Sequence, residues 1–125
     1  MLRLAGPVLI VFSLVHAGMT FVLFPEAIAV IVDAGLFGGT RWAFSDMETL
    51  AAFWFLAFSW PAFALGLAVD AAHRRMSTVP GARSVGAVLL ASIVVSGLVL
   101  PVSGLWAFAI PALMLIFGRT GRAVS

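Results

Sequence analysis

Apolar residues come in three long uncharged runs, and polar residues collect between them. Residues 4–24 and residues 49–69 are each 21 residues without a charge. At about 1.5 Å of helix per residue, either run crosses a hydrocarbon core of roughly 30 Å. The third run, residues 84–118, is 35 residues long. One spanning helix needs only about 20, so a single helix here would push apolar length into water. Pro101 and Gly104 sit near its middle and break helices. The pattern predicts a helical hairpin over 84–100 and 101–118, with its turn shallow, at the lipid headgroups.

Between the first two runs, Ile28, Ile31, Val32 and Gly35 recur at helical spacing, with Glu26 and Asp33 opposite. This predicts a short amphipathic helix over 26–34, too short to span and suited to the membrane interface, with Gly35 as its C-terminal cap. Ser45 and Glu48 fit a capping box at the start of the next helix. The fold class expected is therefore all-α: an integral membrane four-helix bundle forming one domain over residues 1–125.

Composition supports lipid as the solvent. Of 125 residues, 63% are hydrophobic and 10% charged, and mean hydropathy is +1.19. A soluble domain carries roughly 25% charged residues. The pI near 11.2 is no sign of nucleic-acid binding. It reflects seven dispersed arginines, a net charge of +2, and no Tyr or Cys to titrate first. Without cysteine there are no disulfides, thiolate metal sites or S-acylation.

Arginine placement sets an orientation. With four spans, Arg3, Arg74, Arg75, Arg83, Arg119 and Arg122 fall on one side and only Arg41 on the other. The positive-inside rule puts both termini in the cytoplasm of a multi-pass cell-membrane protein. Glu26, Asp33, Asp46 and Glu48 then lie outside, and Trp42, Trp54 and Trp106 lean toward the outer interface. Arg3, the apolar stretch and Val15-His16-Ala17 also satisfy a signal-peptide pattern. The apolar run continues past Ala17, which suits a retained helix, and cleavage of residues 1–17 is left open.

His16 is the one ionisable side chain deep in a predicted span, and such groups are functional candidates by default. Gly6, Ser13, His16, Ala17 and Thr20 share one narrow sector, which should face the bundle. By depth, His16 matches Ser59 and Ser96, with Trp60 and Ser92 about one turn lower; these could form a polar layer near the midplane. The first reading is a neutral imidazole that glues two helices; the second is an acid/base with Ser59 or Ser96 beside it. Serines in apolar helices also bond back to their own backbone.

No metal site is expected, because capping and dipole compensation account for Asp46 and Glu48. His73 lies far below His16, against a bis-histidine haem, and its neighbours Asp70, Arg74 and Arg75 read as a solvated helix end. No cofactor is assigned. Pro61 and Pro111 should kink their helices. Ala62-x-x-x-Gly66 and Ser92-x-x-x-Ser96 should be packing seams.

Three stretches carry a family likeness: the early helix with His16 and Gly18, Ala52-Phe53-Trp54-Phe55, and the segment from Leu100-Pro101-Val102-Ser103-Gly104-Leu105-Trp106 to Ile110-Pro111-Ala112. Together with the length they resemble a family of small bacterial four-helix membrane proteins of uncharacterised function. That resemblance implies four spans and no catalytic residues. Small multidrug exporters share the size but need a carboxylate where this chain has His16. DoxX-like proteins, associated with quinone redox chemistry, are similar in architecture only.

Three functions follow as expectations. The first is a non-catalytic structural or accessory protein that packs against lipid, a membrane protein partner or further copies of itself. The second is a membrane enzyme or redox accessory acting on a quinone or isoprenoid, with His16 as acid/base. The third is a small proton-coupled transporter.

Overall fold

A computed structural model describes residues 1–35, 46–77, 79–99 and 104–118. Among these there are five α-helices and no strand: α1 Leu2–Leu23, α2 Pro25–Asp33, α3 Met47–Met76, α4 Ala82–Val99 and α5 Ala109–Phe117. A 3-10 turn, Leu105–Phe108, leads into α5. Two helices, α1 and α3, are long and apolar enough to cross a membrane.

The main departure from the expected boundaries is α3, which continues to Met76 rather than ending near residue 69. Asp70 and Arg74 are bonded across one helical turn, and His73, Arg74 and Arg75 in the last turn suit the negative end of the helix dipole. The last helix is shorter than expected. Gly104, with φ of 69°, starts the 3-10 turn, and α proper opens only at Ala109. Pro111 therefore falls in the first turn of α5, where its missing N–H leaves no intrahelical bond unmade. It helps begin the helix rather than kink it. The expected turn at Pro101 lies outside the described residues, as do Ser45, Arg41 and Trp42.

The chain divides into two compact units, Met1–Phe12 with Ala62–Ser125, and Ser13–Pro61. In the first, α1 and α3 run antiparallel at very close range. A Cβ on Gly6 would lie 2.7 Å from the backbone N of Asp70, and one on Gly66 would lie 2.9 Å from Ile10 N. Glycine is what lets the two backbones touch. Gly86 does the same between α4 and α5, facing the carbonyl of Ala112 at 2.7 Å. Gly97 makes room for the indole of Trp106. Leu9, Ile93, Phe108 and Leu115 are sealed inside, and Phe12 packs edge-on to Phe108 at 6.1 Å.

The buried face of α4 is thus Gly86, Leu89, Ile93 and Gly97. Ser92 is not on it. Exposed, it donates to Val88 O at 2.9 Å, so the expected Ser92-x-x-x-Ser96 seam is replaced by this glycine-flanked one. The Ala62–Gly66 seam on α3 is buried as expected.

In the second unit, α2 buries Ala27 and Ile31 against Ala52 of α3, with Phe24, Ile28 and Phe53 around them. Gly35 follows α2 at φ of 72°, and its N–H reaches Val32 O. Val32, expected on the apolar face, is 59% exposed, and Ala27 is buried instead: the stripe of Phe24, Ala27, Ile28 and Ile31 is turned about 40° around the helix from the expected one. The start of α3 is capped by Asp46, which accepts from Thr49 N at 2.6 Å and from Thr49 Oγ1 at 2.9 Å. Asp46 supplies a capping side chain at this end, while the expected capping box of Ser45 and Glu48 rests on Ser45, outside the described residues.

Candidate functional site

Every member of the small polar stripe on α1 is withdrawn from the surface. Gly6, Ser13, His16 and Thr20 are buried and Ala17 is half-buried, whereas Leu14 and Phe21 are more than half exposed. Spacings of three, four and seven residues keep these groups on one side of a 3.6-residue helix. Thr20 Oγ1 donates back to His16 O at 3.3 Å, which satisfies its hydroxyl locally.

Within the second unit, His16 Nδ1 lies 3.1 Å from Ser59 Oγ, linking α1 to α3. Ser59 is itself buried, and its Oγ donates to Phe55 O at 3.0 Å. A serine hydroxyl has one proton to give. With that proton on Phe55 O, Oγ accepts from His16 Nδ1–H, and the imidazole is the tautomer protonated at Nδ1. Low local polarity strengthens such a chain. The chain ends on a peptide carbonyl, which has no proton to pass onward.

Aromatic rings complete the setting. The imidazole stacks on Phe55, with centroids 4.1 Å apart and planes at 12°, and meets Phe58 at 5.8 Å and 61°. Phe24 approaches Phe55 edge-on at 5.5 Å. Phe55, Phe58 and Ser59 stand at i, i+3 and i+4, so one face of α3 presents both rings and the hydroxyl to His16. Sequence reasoning found the hydroxyl and missed the rings. The signal was the helical spacing of Phe55 and Phe58 to Ser59, lost among 11 phenylalanines.

Of the other residues placed in a midplane layer, Ser96 belongs to the first unit, on α4, and is half-buried. Trp60 does not join the layer: it is 67% exposed, because it is carried around α3 from Ser59 by about 100°. Asp70 and Arg74 form a 2.7 Å ion pair, with the Arg74 side chain 75% exposed. Among the described residues, no group of three or more His, Asp or Glu lies together as metal ligands would.

Fold and site together define an all-α protein with two helices able to cross a membrane and a histidine–serine contact framed by phenylalanines. Over residues 1–122 the chain matches the family of unknown function DUF6463, and it belongs to that family. No curated protein and no solved structure matches it.

Proposed function

We propose that the chain is a multi-pass cell-membrane protein with four spans and both termini cytoplasmic, and that its role is structural or accessory rather than catalytic. The observation that carries this reading is the exposure of the two helices long and apolar enough to cross a membrane. Only 28% of the most apolar window of α1, and 28% of that of α3, is buried. A core helix of a soluble protein hides most of its surface. Here Val11, Leu14, Val15, Phe21, Val22 and Leu67 stand open, as side chains do when lipid is the solvent. By length, α1 covers about 33 Å, α4 about 27 Å, and the 3-10 turn with α5 about 21 Å, so the fourth span is the short one and calls for local thinning of the bilayer.

The His16–Ser59 contact acts as a hydrogen-bonded tie between α1 and α3. A proton relay through Ser59 would end at the Phe55 carbonyl, which favours the tie over a relay along that path; acid/base chemistry on a quinone or isoprenoid would run through the imidazole itself and is the reading that co-purification tests. Reporter fusions at both ends and within residues 36–45 test the topology. Ends on the cytoplasmic face with the 36–45 segment outside agree with four spans; ends on opposite faces contradict it. Mass spectrometry of the chain purified in mild detergent tests the role, and a stoichiometric co-purifying quinone or isoprenoid would replace the accessory reading by the enzymatic one.

A further inference from the structure

Trp60 lies near the middle of α3, about 20 Å from its start and about 24 Å from its end, and is 67% exposed. Indole rings gather at membrane interfaces, where the N–H meets water or headgroups. Among the described residues, nothing hydrogen-bonds to Trp60 or stacks on it. The next residue, Pro61, is also exposed and has no N–H, so it leaves the carbonyl of Ala57 without its usual i+4 donor. One outward patch of α3 therefore shows a hydrogen-bond donor and an acceptor within a single turn. Lipid tails satisfy neither, and unmet polar groups are heavily penalised at that depth.

We propose that this patch docks a second copy of the chain, with each Trp60 Nε1–H donating to the Ala57 carbonyl of the other copy. The proposal rests on the membrane reading above. A two-fold contact meets a surface with itself, so a patch that carries both halves of a hydrogen bond satisfies both halves twice over. Register agrees. Side chains on a helix lean toward its N-terminus, which carries the Trp60 ring toward the level of Ala57, three residues or about 4.5 Å earlier. Two copies inserted with the same orientation then match at the same depth. The small side chain of Ala57 leaves its carbonyl open to close approach.

The chain has no cysteine, so a single introduced thiol reports alone. Ala57→Cys in the full chain, oxidised mildly in its own membrane, should give a species of twice the mass. Val22→Cys on α1 and Leu98→Cys on α4, both exposed positions, should stay monomeric. Trp60→Phe keeps the ring and removes the N–H. With two bonds per dimer, each worth roughly three-fold, it should weaken association about ten-fold in nanodiscs. No cross-link at residue 57, equal cross-linking at all three positions, or capture of a different protein at residue 57 would overturn the proposal. If Ala57→Cys does not reach the membrane, native mass spectrometry of the unaltered chain in nanodiscs decides, and a monomer there overturns it. A chain stripped from membranes by alkali instead overturns the membrane reading itself.

Discussion

The imidazole of His16 lies flat against the ring of Phe55, 4.1 Å away, while its Nδ1 meets the hydroxyl of Ser59. Contact area and one hydrogen bond thus hold the same side chain, and they separate by mutation. Hydrogen bonds between membrane helices average about 0.6 kcal/mol and reach about 1.7. Ser59→Ala should therefore destabilise by about 1 kcal/mol. Phe55→Ala removes a half-buried ring and should cost about 2 kcal/mol. Unfolding in detergent by increasing denaturant orders the two, and a larger loss from Ser59→Ala would mean the hydrogen bond dominates.

Gly6 and Gly18 lie on the same helix in opposite settings. A Cβ at Gly6 would sit 2.7 Å from the Asp70 backbone, whereas at Gly18 nothing lies within 4 Å. Gly6→Ala should force α1 and α3 apart and cost about 1–3 kcal/mol. Gly18→Ala should be neutral or raise stability by up to about 1 kcal/mol through helix propensity. Thermal melts of the two variants in one detergent make the comparison.

Asp46 accepts two hydrogen bonds from Thr49 at the start of α3. Asp46→Ala should cost about 1 kcal/mol and Asp46→Asn only a few tenths, because asparagine also caps. Amide exchange at Thr49 reads this directly: protection should fall in the alanine variant and persist in the asparagine one.

The Asp70–Arg74 pair is largely solvated on its arginine side. Exposed pairs at this spacing contribute about 0.3–0.5 kcal/mol, so Asp70→Asn should barely move a melting temperature and Gly6→Ala should move it plainly. An equal effect of both changes would show that the aspartate side chain, not the backbone approach, holds α1 to α3.

Helical periodicity in the sequence revealed the buried face of α1, because polar groups stand out against an apolar background. Depth counting then paired His16 with Ser59. The same counting placed Trp60 and Ser92 in that layer, and both are exposed. Depth fixes a residue's level along a helix but not its angle around the axis, and the angle depends on packing partners. Those partners are glycines such as Gly86 and Gly97, whose role is visible only once a neighbouring helix presses against them. The phenylalanine frame around His16 was hidden for the opposite reason: in a chain this greasy, an aromatic residue at helical spacing is unremarkable. Helix ends suffered too. The uncharged run stops at residue 69, yet α3 runs on to Met76 through Asp70, Arg74 and Arg75, the solvated helix end that their spacing implies.

Gly104 turns the backbone to φ of 69° just before the 3-10 segment. That geometry is the mirror image of what L-amino acids favour. A chemically synthesised chain with D-alanine at 104 should accept the turn without strain and lose less freedom on folding than the natural residue does, for a gain of roughly 0.4–1 kcal/mol. L-alanine at 104 should lose about as much as the mirror form gains, so the handedness of a single carbon would decide whether this corner is reinforced or weakened.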